Sequence, residues 1–151
     1  MEKITPLQSD NVKYVAQIDH ECFTTESWSE AQFVAEIGDD SKYYAVFSIS
    51  DTVVGFGSYA QILDEGHILN IAVKPEYQNR GIGRKILSDL MEHGKNRGTT
   101  AFTLEVRASN IKAKFLYERM GFRCVGVRKG FYPDKEDACI YWLYFNKREE
   151  Y

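Results

Sequence analysis

The stretch Leu69-Asn70-Ile71-Ala72-Val73-Lys74-Pro75-Glu76-Tyr77-Gln78-Asn79-Arg80-Gly81-Ile82-Gly83-Arg84 constrains this chain more than any other. An apolar run stops at a proline, and two glycines then stand at the mouth of a helical pattern. The order reads as buried strand, turn and helix N-terminus, where backbone N–H groups and the helix dipole converge on an anion. Glycine lets the backbone approach such an anion closely. Arg80 and Arg84 flank it with charge-assisted donors. Phosphate binding is the expectation, ahead of a turn whose glycines merely tolerate positive φ.

Of two better-known glycine turns, one does not fit and the other is a distant runner-up. A P-loop needs Gly-Lys-Ser/Thr, and here the chain continues Gly83-Arg84-Lys85-Ile86. A dinucleotide fingerprint would find its acidic partner in Glu105, on a later strand. However, Ile86 occupies its third glycine position, and residues 74–80 separate the strand from Gly81.

At 151 residues the chain is expected to be one domain, spanning 1–151. A net charge of −3 gives no basic footprint, so direct nucleic-acid binding is not expected. Cys22, Cys124 and Cys139 lack CxxC spacing and read as core or near-core thiols in a reducing compartment. His20, His67 and His93 are scattered, with no spacing that suggests a metal. No run approaches membrane-spanning length and the start lacks an apolar leader, so the expectation is a cytoplasmic protein.

Along the chain, residues 3–7 read as an edge strand ending at Pro6. Ser9 or Asp10 then caps a helix carrying Val12, Val15, Ala16 and Ile18. Ser29 and Gln32 form a capping box ahead of Phe33, Val34 and Ile37, the apolar face of a second helix. Two strands, 43–49 and 53–63, meet at a tight Ser50-Asp51-Thr52 hairpin, with Gly55 and Gly57 marking a bulge or close backbone approach. Asp64, Glu65 and Gly66 turn the chain into the central strand. After Gly83, Ile86, Leu87, Leu90 and Met91 build a helix that ends before Gly98. In the strand 100–107, Phe102, Leu104 and Val106 face one way and Thr103, Glu105 and Arg107 the other. Ser109 or Asn110 caps a helix to Met120, closed by Gly121. Strands 122–127 and 138–145 flank a loop at 130–137. These elements indicate an α/β (α+β) fold on a mixed sheet.

Gln78-x-x-Gly81-x-Gly83, after Asn70-Ile71-Ala72-Val73, resembles the coenzyme A signature of the GNAT superfamily of N-acetyltransferases. Asn110-x-x-Ala113-x-x-x-Tyr117-x-x-x-Gly121-Phe122 is similar to that superfamily's second motif. Leu104-Glu105-Val106-Arg107-Ala108-Ser109-Asn110, with Tyr132-Pro133 and Glu136-Asp137-Ala138, resembles the ribosomal-protein-alanine N-acetyltransferase branch. The resemblance implies a splayed sheet of about six or seven strands flanked by about four helices, with acetyl-CoA as co-substrate and no metal. It implies pantetheine contacts at Ile71, Ala72 and Val73. The pyrophosphate would sit on Asn79, Arg80, Gly81, Ile82, Gly83 and Arg84, with Asn110 as a further coenzyme contact. It places a general base at Glu105 and a general acid at Tyr117. The implied partner is the N-terminal segment of a small-subunit ribosomal protein, and the implied state a monomer or weak dimer.

Asp64 and Glu65 are candidates for attracting a cationic N-terminal segment, and Phe131-Tyr132-Pro133 for walling a peptide site. An α-amine is neutral in roughly a tenth of molecules at pH 7 and a lysine in well under one per cent, so a single glutamate suits an N-terminal amine better. The alternatives are another protein N-terminus, a small amine such as a polyamine or antibiotic, and a non-catalytic coenzyme-binding module. Where the branch often shows Phe then Pro-Trp-Ser, this chain has Phe23-Thr24-Thr25-Glu26-Ser27-Trp28-Ser29. That departure bears on peptide specificity rather than on acetyl transfer.

Overall fold

The computed structural model describes residues 1–23 and 26–145, so Thr24 and Thr25 of the atypical loop lie outside the described residues. Strands β1 (Glu2–Thr5), β2 (Lys42–Ile49), β3 (Thr52–Ile62), β4 (Glu65–Val73), β5 (Ala101–Arg107), β6 (Arg123–Arg128) and β7 (Ala138–Tyr144) form a mixed sheet in the order β1-β2-β3-β4-β5-β7-β6. Helices α1 (Val12–Cys22), α2 (Glu30–Val34), α3 (Ile82–Asn96) and α4 (Ile111–Arg119) complete the fold. The parallel β4–β5 pairing runs from Glu65↔Ala101 to His67↔Thr103, well short of the end of either strand. By contact density the chain divides into two compact units. One comprises Met1–Ala60 and Leu69–His93, the other Gln61–Ile68 and Gly94–Tyr151.

In the first unit, Leu7, Val12, Val15, Ile18, Phe33, Tyr44, Val46, Phe56 and Ala72 bury one core. The β2–β3 hairpin closes through Ser50 and Asp51, both left-handed at φ 48° and 68°, as a two-residue turn between right-twisted strands requires. Gly55 and Gly57 are explained by close approach. A Cβ at Gly55 would lie 2.9 Å from the Ala72 carbonyl oxygen, and one at Gly57 would lie 2.6 Å from the Ile86 side chain.

The helix starts hold corrections. Asn11, not Ser9 or Asp10, is the N-cap of α1, and its side chain turns backwards to accept from Gln8 N–H and donate to the Pro6 carbonyl. The capping box of Ser29 and Gln32 is present, but α2 ends at Val34. Only Phe33 is buried there, leaving Val34 and Ile37 exposed, because so short a helix presents a single side chain to the core. Helix α3 begins at Ile82, between the two glycines rather than after Gly83 as expected.

In the second unit, β5 alternates as expected, with Phe102, Leu104 and Val106 buried. The turn before β4 is made by Leu63, at φ 56°, and Asp64, while Glu65 and Gly66 already belong to the strand. Asn110 caps α4 by accepting from Ala113 N–H, and Gly121 follows it at φ 102°. Cys139 is buried and Cys22 half-buried, but Cys124 is exposed, since every residue of β6 faces solvent at the sheet edge.

Candidate active site

The glycine turn lies wholly in the first unit. After β4, a single 3-10 turn over Pro75–Tyr77 lifts the chain off the strand. Asn79 at φ 65° and Gly81 at φ 81° then reverse it. The first helical hydrogen bond of α3 runs from Lys85 N–H to the Gly81 carbonyl. The four N–H groups before it, on residues 81–84, therefore have no acceptor within the helix. Ile82 is buried and anchors the start, while Gly81 and Arg84 are exposed.

The turn is pinned to its strand. Gln78 Nε2 donates to the Val73 carbonyl at 2.9 Å, and the Cys22 thiol donates to the same oxygen at 3.3 Å. Arg80 reaches back to the Glu76 carbonyl at 3.1 Å and lies over the Tyr77 ring. Its guanidinium thus braces the turn, and both flanking cations, Arg80 and Arg84, are exposed. The sequence motif included Gln78, but its part in holding the Val73 end of the strand becomes visible only in three dimensions.

The second unit carries the titratable groups. Glu105 lies on the half-buried face of β5 with Thr103 and Arg107, and its Oε1 is 2.8 Å from His67 Nε2. Donation from His67 holds the Glu105 carboxyl below the usual range, against the opposing effect of burial. Register puts Glu105 opposite Ile140 and Leu104 opposite Tyr141 on β7. Tyr117 packs from α4 against Tyr141 and Phe122, so it lies on the Leu104 face. Glu105 and Tyr117 therefore address opposite faces of the β5–β7 pair. Tyr117 is buried, and burial pushes its phenol well above the ordinary tyrosine range.

The remaining candidates divide. Glu65 stands two residues before His67 on β4, hence on the same face. The Asp64 carboxylate accepts from Thr100 Oγ1, bracing the turn. Asn110 spends its side-chain oxygen on the α4 cap. Tyr132 lies under the Arg107 guanidinium, 4.1 Å from ring centroid to Cζ. Arg107 also binds Asp134 at 3.0 Å and Glu136 at 2.9 Å, tying the 130–137 loop to β5. His67 was not singled out by sequence as a site residue, and Arg107, which the sequence offered as an ion-pair partner for Glu105, pairs with Asp134 and Glu136 while Glu105 bonds to His67. The available signal was parity, since Arg107 stands two residues beyond Glu105 and His67 two beyond Glu65. Among the described residues no cluster of His, Cys, Asp and Glu could hold a metal ion.

The Acetyltransferase (GNAT) family profile matches residues 12–122. The chain belongs to the GNAT acetyltransferase family. This acetyltransferase is 38% identical over 118 residues to the ribosomal protein bS18-alanine N-acetyltransferase of Escherichia coli (strain K12), covering 75% of this chain and 78% of that one. Its fold superposes on the crystal structure of the Escherichia coli ribosomal-protein-S18-alanine N-acetyltransferase with a TM-score of 0.86 at 33% identity, covering 95% and 94% of the two chains. Arabidopsis thaliana NAA60, crystallised in complex with acetyl-CoA, shares the fold at 20% identity and a TM-score of 0.86, over 97% and 99% of the chains. Among its described residues the acetyltransferase thus has the mixed sheet and four helices that the resemblance implied. No helix among the described residues is long and apolar enough to cross a membrane.

Proposed function

We propose that the whole chain is one acetyltransferase domain that moves the acetyl group of acetyl-CoA onto the α-amine of an N-terminal alanine of a small-subunit ribosomal protein in the cytoplasm, as a monomer or weak dimer. The observation that carries this reading is the placement of Glu105 and Tyr117 on opposite faces of the β5–β7 pair. A thioester lying along the edge of β5 then meets its nucleophile on one side and loses its sulfur on the other. That suits direct attack within a ternary complex. The names of the Escherichia coli relatives support the choice of acceptor.

In this reading the unpaired N–H groups at the start of α3 take the coenzyme's pyrophosphate, with Asn79, Arg80, Ile82 and Arg84 shaping the turn and Asn110 as a further contact. The backbone of Ile71, Ala72 and Val73 pairs with the pantetheine, and an N–H there stabilises the developing oxyanion. The acceptor attacks as the neutral amine, and Glu105 takes the proton that its nitrogen sheds as the C–N bond forms, passing it on to solvent. The C–S bond breaks, and the departing thiolate takes a proton from Tyr117, which regains one from solvent. A buried phenol is a weak acid for this purpose. Its O–H therefore stabilises the thiolate first and transfers the proton as the sulfur leaves. Glu65, Asp64 and Tyr132 border the acceptor.

A thiol-release assay against peptides beginning with Ala, Ser, Gly and Met, together with a polyamine, tests the reading. Alanine peptides should turn over fastest, and Glu105→Gln should lose turnover by about a hundredfold. Preference for the polyamine would reassign the acceptor. Full turnover in Glu105→Gln would remove Glu105 as base.

A further inference from the structure

His67 has no part in the transfer as written above, yet it makes the shortest polar contact to the base. It sits on the portion of β4 that pairs with β5, opposite Thr103, and reaches Glu105 from the neighbouring strand. Both side chains are partly buried, with 32% of His67 and 19% of Glu105 exposed. An ionised carboxylate only accepts, so Nε2 is the protonated nitrogen of this contact. The other groups bearing on the carboxylate are Arg128 from β6 and the backbone N–H of Glu105 itself. A glutamate otherwise samples several rotamers, and only those aimed at the amine are productive.

We propose that His67 is the positioning residue of the base, its Nε2–H holding one oxygen of Glu105 so that the carboxylate meets the incoming amine in a single orientation. This rests on the reading of Glu105 as base. The contact is also more than a surface ion pair, because half-burial and the fixed register of two paired strands spare it most of the freedom that weakens exposed pairs. A cross-strand staple with no bearing on turnover is the competing account, and the two differ in what a second substitution does.

The experiment uses the full chain with His67→Ala and His67→Gln, each alone and combined with Glu105→Gln. Turnover is measured on a peptide with an N-terminal alanine, and the Glu105 carboxyl is titrated by carbon NMR. His67→Ala should lower kcat at least about tenfold while leaving peptide KM within about twofold. His67→Gln, whose amide N–H can reach the same oxygen, should recover most of the loss. In the Glu105→Gln background His67→Ala should cost nothing further. The Glu105 titration should move up in His67→Ala and return in His67→Gln. Equal losses in both backgrounds, or an unmoved Glu105 titration, would overturn the proposal. If the unmodified enzyme acetylates no peptide, the acceptor reading falls, and the titration alone still decides whether His67 holds Glu105.

Discussion

Protonating Glu105 is harder in the folded chain than in the unfolded one, because His67 donates to its ionised form. A carboxyl lowered by folding adds stability at pH values above the unfolded glutamate value of about 4.3, and that addition disappears as pH falls through the lower folded value. Urea unfolding should therefore show Glu105→Gln less stable than the parent near neutrality, with the gap closing on acidification. A gap independent of pH would mean the loss is packing alone. Sequence showed Glu105 on the polar side of its strand, because period-two alternation is local. It could not show His67, which is 38 residues away and brought near by a parallel register that no local pattern encodes. Gly55 and Gly57 are the opposite case, since their lack of a side chain announced a close neighbour without saying which one.

The 130–137 loop has no regular structure between β6 and β7, and Arg107 supplies much of what holds it. Its guanidinium spans Asp134, Glu136 and the Tyr132 ring, while Glu136 also accepts from Ser109 N–H just before the α4 cap. Arg107→Gln should speed amide exchange across 130–137 and raise peptide KM only on the order of fivefold, since Asp134 is mostly exposed and exposed contacts are individually weak. Acetyl-CoA KM should hold constant; a parallel rise there would contradict a role confined to the loop. Caps and turns were legible at this scale where chemistry is specific, as in the Ser29–Gln32 box, the Asn110 cap and the Ser50-Asp51 turn. They were misread where a side chain had a better tertiary option. Asn11 took the α1 cap position yet spent its amide on residues before the helix.

A co-substrate that binds only the folded chain stabilises it by mass action. Acetyl-CoA at about a hundred times its Kd should add about 2.7 kcal/mol, read as a concentration-dependent rise in Tm. Inorganic phosphate at matched ionic strength should give a much smaller shift, and equal shifts would reduce the turn to a generic anion site. The fold class was legible because the strand, the proline and the two glycines follow one another closely and each has a steric reason, and the family because two motifs, at 78–83 and 104–122, resemble it. The opposition of Glu105 and Tyr117 across the sheet was not, because it depends on which β7 residue each β5 residue faces.

The division between Ala60 and Gln61 falls inside β3, that between Ile68 and Leu69 inside β4, and that between His93 and Gly94 inside α3. None of these boundaries is a linker, so an inserted module at any of them would sever a hydrogen-bonded element rather than lengthen a loop. Tag insertion should instead be tolerated at Ser50 and Asp51, whose turn is exposed and held by two left-handed residues. A longer loop there frees both residues from that conformation, which makes the hairpin tip the natural entry point for engineering this enzyme.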